Sequence, residues 1–296
     1  MSGTVRIAVA VGYLGAPYSG SQIQPNVSTV QGELQIALSS LKWANGIANP
    51  ITMSSRTDAG VDARMNICSF DIDNKIWLSA GESGIISAIN DRIPLSIRVW
   101  AVELVPSDFR PRDAFSRTYL YRLQAMEGWP NDVSLEDLDR WCSIFIGKQN
   151  FRNFCRPEEG RSTIKEVFIC KPWLDSKSNI LGFQITGSGF VWNQVRRIAS
   201  SLHRIATGRI DENKVKKAID NPNNPADFGL ADSNWLSLWA LNHPESPKLT
   251  LAGKCPIPES IGAGEIPSGR QYRLWAKKAR GEQDSLHQVS WLGYLN

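Results

Sequence analysis

Twice along this chain a β-branched run with strand character is followed by an amphipathic helix and then by further strands, an alternation that few folds accommodate. The first round opens with Thr4–Tyr13 (TVRIAVAVGY). A loop with Gly12, Gly15, Pro17 and Gly20 follows. Ser28, with Gln31 three residues later, predicts a capping box for a helix reaching about Lys42, its core stripe Val30, Leu34, Leu38 and Leu41. Residues 65–72 read as a strand, 79–90 as a looser helix weakened by Gly81 and Gly84, and 97–104 as a closing strand. In the second round residues 117–126 alternate as a strand with Tyr119, Tyr121 and Leu123 on one face. A helix over 134–146 stopped by Gly147, strands over 163–173 and 180–186, and a strong amphipathic helix beginning around Phe190 come next. Val191, Val195, Ile198, Leu202 and Ile205 share one face of that helix, and Gly208 ends it. A short polar helix over 211–220 and a strand over 235–241 complete the round. Each round mixes strands and helices in the split β-α-β manner of ferredoxin-like units. The expected fold is therefore α+β: two ferredoxin-like halves, with antiparallel or mixed sheets, flanking a basic central cleft.

Length agrees with two domains, since 296 residues exceed the roughly 100–200 of one. The expected division is an N-terminal half over 1–110, a C-terminal half over 111–241 and an extension over 242–296. The extension starts irregularly, with Pro244, Pro247, Pro256, Pro258 and Pro267. It ends with Trp275, Trp291 and Tyr294, preceded and flanked by Arg270, Arg273, Lys277, Lys278 and Arg280, which read as packed on the main body or, with those cations, as an RNA contact. Apolar residues are 42% and charged residues 21%, ordinary for a globular chain. No run approaches the roughly 18 apolar residues of a membrane span, and the apolar start contains Arg6 and reads as a strand rather than a signal peptide. A soluble, cytoplasmic protein without membrane attachment is expected.

Five scattered cysteines, never spaced CxxC, argue against a disulfide framework and a structural zinc site. Three histidines in no paired arrangement argue against metal chemistry and a histidine triad. Carboxylates, tyrosines and arginines are left to carry any reaction. Residues 1–110 hold 8 basic and 9 acidic side chains, 111–240 hold 18 and 15, and 241–296 hold 7 and 5. The excess falls in Arg196, Arg197, Arg204, Arg209, Lys214, Lys216 and Lys217, and in Arg270, Arg273, Lys277, Lys278 and Arg280 around Tyr272 and Trp275. Cations interleaved with aromatics suit a phosphate backbone with bases to stack on, and solvated helix faces would look the same.

The most unusual string is Ser54-Ser55-Arg56-Thr57-Asp58-Ala59-Gly60-Val61-Asp62-Ala63, on a loop between two strands. Its small neighbours let the backbone turn tightly and project Asp58, an arrangement that also fits a plain Asx turn. The string resembles the RTDAG signature of the TruA family of tRNA pseudouridine synthases. Tyr13-Leu14-Gly15, Gly20-Ser21-Gln22-Ile23-Gln24 and Val30-Gln31-Gly32-Glu33-Leu34 resemble that family's opening motifs. Asn90-Asp91-Arg92-Ile93-Pro94, Asp108-Phe109-Arg110, Ser116-Arg117-Thr118-Tyr119-Leu120-Tyr121 and Gly189-Phe190-Val191 with Val195-Arg196-Arg197-Ile198 resemble its later ones. The motifs keep the family's order over residues 4–241. Two positions and one stretch depart: Asp62 replaces the usual histidine, Ser21 a common aromatic, and residues 225–232 the usual terminal motif.

The resemblance implies isomerisation of uridine to pseudouridine in the anticodon stem-loop of tRNA, by a homodimer, with no cofactor and no metal. Cleaving the N1–C1′ bond and rejoining through C5 needs one carboxylate, as nucleophile or as stabiliser of positive charge at C1′. By resemblance that carboxylate is Asp58. Tyr119 stacks on the target base, Arg196 pairs with the aspartate, and Arg56 fills the stack vacated by a flipped base. Tyr121, on the same face as Tyr119, packs. Two rivals remain: a catalytically silent RNA-binding protein of the same fold, and a glycoside hydrolase using Asp58 and Asp62 as its acid pair.

Overall fold

The structure is a computed structural model describing residues 3–43, 51–254, 257, 258, 267 and 270–295. Its elements confirm an α+β protein. In chain order they are β1 (Thr4–Tyr13), α1 (Val30–Ser40), β2 (Thr52–Met53), β3 (Asp62–Asp73), α2 (Asn74–Asn90), β4 (Ile97–Val105), β5 (Ser116–Tyr121) and α3 (Leu135–Ser143). There follow β6 (Gly147–Asn150), β7 (Ile164–Leu174), β8 (Ile180–Gly187), α4 (Gln194–Ala206), α5 (Glu212–Asp220), β9 (Leu236–Asn242), α6 (Pro247–Gly253) and α7 (Arg270–Leu295). Contacts divide the chain into two units. The first is Met1–Phe115 with Leu238–Cys255 and His287–Asn296, and the second is Ser116–Ser237 with Pro256–Leu286.

In the first unit the strand order is β4–β1–β3–β9, with β2 against β3. β1 runs antiparallel to both neighbours, Val9 opposite Cys68 on β3 and Val102 on β4. Ile7 to Val11 are at most 1% exposed, so both faces of β1 are covered, which explains its continuous apolar run. α2 packs on β4 and meets α1. It starts five residues before the expected boundary, capped by Asp73, whose carboxylate accepts from Lys75 N at 2.8 Å, and it is broken at Gly81. α1 is capped by Thr29, which accepts from Gly32 N at 3.2 Å, rather than by Ser28, whose hydroxyl donates to Glu33 instead.

The second unit orders its strands β5–β8–β7–β6, all antiparallel, with Tyr119 opposite Ile185. α3 packs on β7 and α4 on β5. Phe145, Phe151, Phe154, Phe183 and Phe228 are completely buried here, and Phe154 stacks on Phe228 at 4.8 Å. α4 begins at Gln194 rather than near Phe190, because Asn193 takes a left-handed conformation (φ 67°) that is not helical.

The C-terminal stretch contains two helices that strand and helix periodicity passed over, α6 and the 26-residue α7. Residues of α7 belong to both units. In the second, Arg122 donates to Ala279 O at 2.8 Å and pairs with Glu282 at 3.1 Å, while Tyr272 Oη donates to Ala125 O at 2.7 Å. In the first, Trp291 is 2% exposed, and its indole donates to Arg64 O at 3.1 Å. The Trp291 and Tyr294 aromatics therefore pack, Tyr294 stacking on Trp100 at 4.4 Å. Cys255, Pro256 and the side chain of Arg270 lie outside the described residues. Cys68, Cys142, Cys155 and Cys170 are buried free thiols. Among the described residues no helix is long and apolar enough to cross a membrane, and no three His, Cys, Asp or Glu side chains group to hold a metal ion.

Candidate active site

β3 follows a short connector that begins at β2, and this connector holds both Arg56 and Asp58. It is tied down from three sides by buried polar groups. The Asn66 amide, fully buried on β3, accepts from Ser55 N at 3.2 Å and donates to Ser55 O at 2.8 Å, so a side chain takes the place of a strand neighbour. Ser21 grips the next residue but one: Thr57 N donates to its hydroxyl at 2.8 Å, and its own N–H donates to Thr57 O at 3.1 Å. The Thr57 hydroxyl lies 2.9 Å from Tyr13 Oη, at the end of β1, and Asn66 donates to that same phenol at 3.3 Å. Buried hydrogen bonds of this kind are costly to break, which makes the connector a rigid support.

Asp58 sits where this frame ends. Val61 N donates to Asp58 O at 3.2 Å and closes a turn whose third residue, Gly60, has φ 81°, a conformation glycine adopts without strain. The loop after β1 presses on this turn: a Cβ on Gly15 would lie 2.3 Å from Val61 O. The result leaves Asp58 half-buried and Arg56 exposed. Asp62, expected as a possible second acid, is fully buried and accepts from Gly15 N at 2.8 Å. It serves as a structural acceptor beneath the loop, so the glycoside-hydrolase reading loses its second carboxylate.

The second unit carries Tyr119 and Arg196. Tyr119 is 7% exposed on β5 and meets the Phe190 ring edge-on, centroids 5.2 Å apart at 88°. Phe190 lies in the Gly189-Phe190-Val191 motif, whose resemblance implies no role for it, and its aromatic type is the signal that could have found it. Two residues before Tyr119, Arg117 donates to Ser188 O at 2.8 Å and anchors the chain leading to Phe190. Arg196, in the first turn of α4, donates through Nε to Ala231 O at 2.8 Å, and its own carbonyl accepts from Ala231 N at 3.3 Å. That pins the departing segment 225–232 to α4. Arg197 beside it pairs with Asp227 at 2.8 Å, and the hydrogen bond from Gly229 N, with this guanidinium, holds the Asp227 carboxyl below its ordinary range. Tyr121 donates to Asp232 O at 2.9 Å, and burial pushes its phenol well above the usual tyrosine range. Tyr121 is fully buried and packs.

A hollow of about 680 Å³ in the second unit is lined by Arg140, Lys148, Glu212, Lys216 and Asp220 among others, and it contains none of the four candidate residues. The first unit offers a partly exposed carboxylate on a braced loop. The second offers, by itself, two aromatic rings set edge to face and an anchored guanidinium.

Comparison with known proteins places the chain as a whole. A family model described as tRNA pseudouridine synthase matches residues 142–244. A tRNA pseudouridine synthase A of Methanosarcina barkeri is 33% identical over 248 residues, covering 81% of this chain and 86% of its own length. One from Halalkalibacterium halodurans is 33% identical over 236 residues, with 72% and 83% covered. One from Pyrococcus furiosus is 31% identical over 219 residues, with 73% and 75% covered.

Proposed function

The chain belongs to the tRNA pseudouridine synthase family, and from that premise we propose that it isomerises uridine to pseudouridine in the anticodon stem-loop of tRNA, with Asp58 as the nucleophile. We further assign to it a cytoplasmic setting and a homodimeric state, as the resemblance implies. The observation that carries the reading is the half-buried Asp58 at the tip of a connector braced by Tyr13, Ser21 and Asn66.

The reaction is an isomerisation, so its atoms balance within the substrate. The Asp58 carboxylate bonds to the substrate and is released again unchanged, and between those events the N1–C1′ bond breaks, the uracil turns and C5 bonds to C1′. The C5 proton leaves to solvent as N1 gains one. A carboxylate whose backbone is already fixed needs no reorganisation when positive charge develops at the sugar. In this proposal Tyr119 stacks on the uracil, which tolerates rotation because a ring face offers no directional bond. Phe190 supports Tyr119 from its edge. Arg196 carries the positive charge that the family resemblance assigns to the aspartate's partner. Arg56, exposed on the same connector, is the side chain offered to the vacated base stack.

The test is release of label from tRNA tritiated at uridine C5. Wild-type protein is expected to release tritium, and Asp58→Asn to bind the same tRNA while releasing none. Tight binding without release by the wild type would instead establish the silent RNA-binding alternative, and full release by Asp58→Asn would remove the nucleophile from this residue.

A further inference from the structure

Between Phe190 and Arg196, two residues used above, stands a tryptophan that the mechanism leaves idle. Trp192 is 41% exposed, a large exposure for the bulkiest apolar side chain. It is nevertheless held in place. The Arg156 guanidinium lies over its ring, 4.4 Å from the centroid, and Arg156 N donates to Trp192 O at 2.9 Å. The next residue, Asn193, is left-handed (φ 67°) and has no side-chain bond capping the helix. Non-glycine residues adopt this conformation at a cost and persist in it where the surroundings impose it. Sequence brings in the reacting group: Phe190, two residues earlier, is the ring against Tyr119, and Arg196 lies four residues later on α4.

An indole with a cation over its ring and a large exposed area is the construction that takes up a nucleobase, stacking being sequence-tolerant and cation–π contact adding to it. An apolar anchor for a protein partner would not need the guanidinium, and a core residue would not be so exposed. Arg152 and Arg156, both exposed on the same segment, supply positive charge for the adjoining phosphates.

We infer that Trp192 and Arg156 form a second stacking platform, which holds the nucleotide next to the target uridine while Tyr119 holds the target itself. This rests on the reading of the chain as a uridine isomerase and adds to it a positioning role for Trp192. Holding a neighbour stabilises the bound RNA equally before and during reaction, so its loss should appear in KM and leave kcat in place.

The experiment compares wild type, Trp192→Ala and Trp192→Phe on a tritiated stem-loop RNA and on the same RNA with an abasic residue on either side of the target. With intact RNA, Trp192→Ala is expected to raise KM about tenfold with kcat little changed, and Trp192→Phe to restore most of it. With one of the two abasic RNAs the difference between wild type and Trp192→Ala should vanish. An unchanged KM in Trp192→Ala, or a difference that survives both abasic neighbours, overturns the proposal. Dissociation constants for the same RNAs, from fluorescence anisotropy, decide the platform without turnover. A wild type that binds but releases no tritium therefore sinks the isomerase reading alone.

Discussion

Thr57 shows how much of a reactive group's position is set by a residue that does no chemistry. Its backbone is held at both ends by Ser21 and its hydroxyl meets Tyr13, all within the buried layer under Asp58. Thr57→Val keeps the shape and deletes that hydroxyl, removing one hydrogen bond from the buried Tyr13 phenol while Asn66 still donates to it, a loss of about 0.5–1.5 kcal/mol. We expect a stable fold, KM for tRNA near the wild-type value and kcat lowered about tenfold or more, since small misplacements of a reacting group are expensive. Steady-state tritium release beside a melting curve checks this, and a kcat equal to wild type would show that the frame does not position Asp58. The RTDAG string was readable because its residues are consecutive. Its frame was not: Thr57 meets residues 44 and 36 positions away, and Asn66 meets one 53 away. Ser21 was visible only as a departure from a common aromatic, and the structure gives it work as the small hydroxyl that fits 1% exposed against Thr57.

At the scale of elements, most strands and amphipathic helices followed their periodicity, and boundaries moved where a single side chain or dihedral intervened, as at Thr29, Asp73 and Asn193. The strand expected over 117–126 stops at Tyr121, because Leu123–Ala125 turn into a 3-10 helix, and the helix expected to reach 146 ends at Ser143. α7 is different in kind. Its most buried positions, Ala279, Gln283, His287 and Trp291, do recur every four residues, but two of them are polar, so no apolar stripe betrays the helix. Polar partners in the body explain that choice: Gln283 donates to Asn234 O at 3.1 Å, and His287 lies edge-on to Trp239. The end of α7 closes over Arg64, whose buried guanidinium lies 5.1 Å from the Trp239 ring centroid, 5.6 Å from that of Trp100 and 5.8 Å from that of Tyr294. Gly12 makes room for it, since a Cβ there would sit 2.0 Å from the Trp291 indole nitrogen. Trp291→Ala should cost about 3–5 kcal/mol, from lost burial and from a cavity beside an already desolvated cation. Leu292→Ala, at an exposed neighbour, should change little. Urea denaturation of the two variants checks the contrast, and equal midpoints would mean that the end of α7 is not part of the packed core.

Over the whole molecule the formal charge is only +4, too little to explain attraction to a polyanion unless the cations are gathered. Unit one is assembled from three stretches of chain, so its return segments are legible only from contacts made in the folded state. Charge, by contrast, could be counted along the sequence, and the richest segment, 111–240, lies largely in the second unit. There α5 turns Val215, Ala218 and Ile219 inward and leaves Lys214, Lys216 and Lys217 exposed, so helical geometry converts a local run into a solvent-facing basic edge. Lys216 also borders the hollow with Arg140 and Lys148, where Glu212 already pairs with Arg140 at 3.1 Å. Replacing Lys214, Lys216 and Lys217 by Gln leaves the buried face of α5 untouched, so folding should be preserved. If these lysines neutralise tRNA phosphates, each lost contact releases one counterion fewer. The slope of log affinity against log salt should then shrink by about one for each lysine engaged. Affinity should fall most at low salt, where the released counterions count most. Titrations of tRNA across a salt series settle it: a triple variant with the wild-type slope would make α5 an ordinary solvated helix and move the RNA-binding charge to another face of the protein.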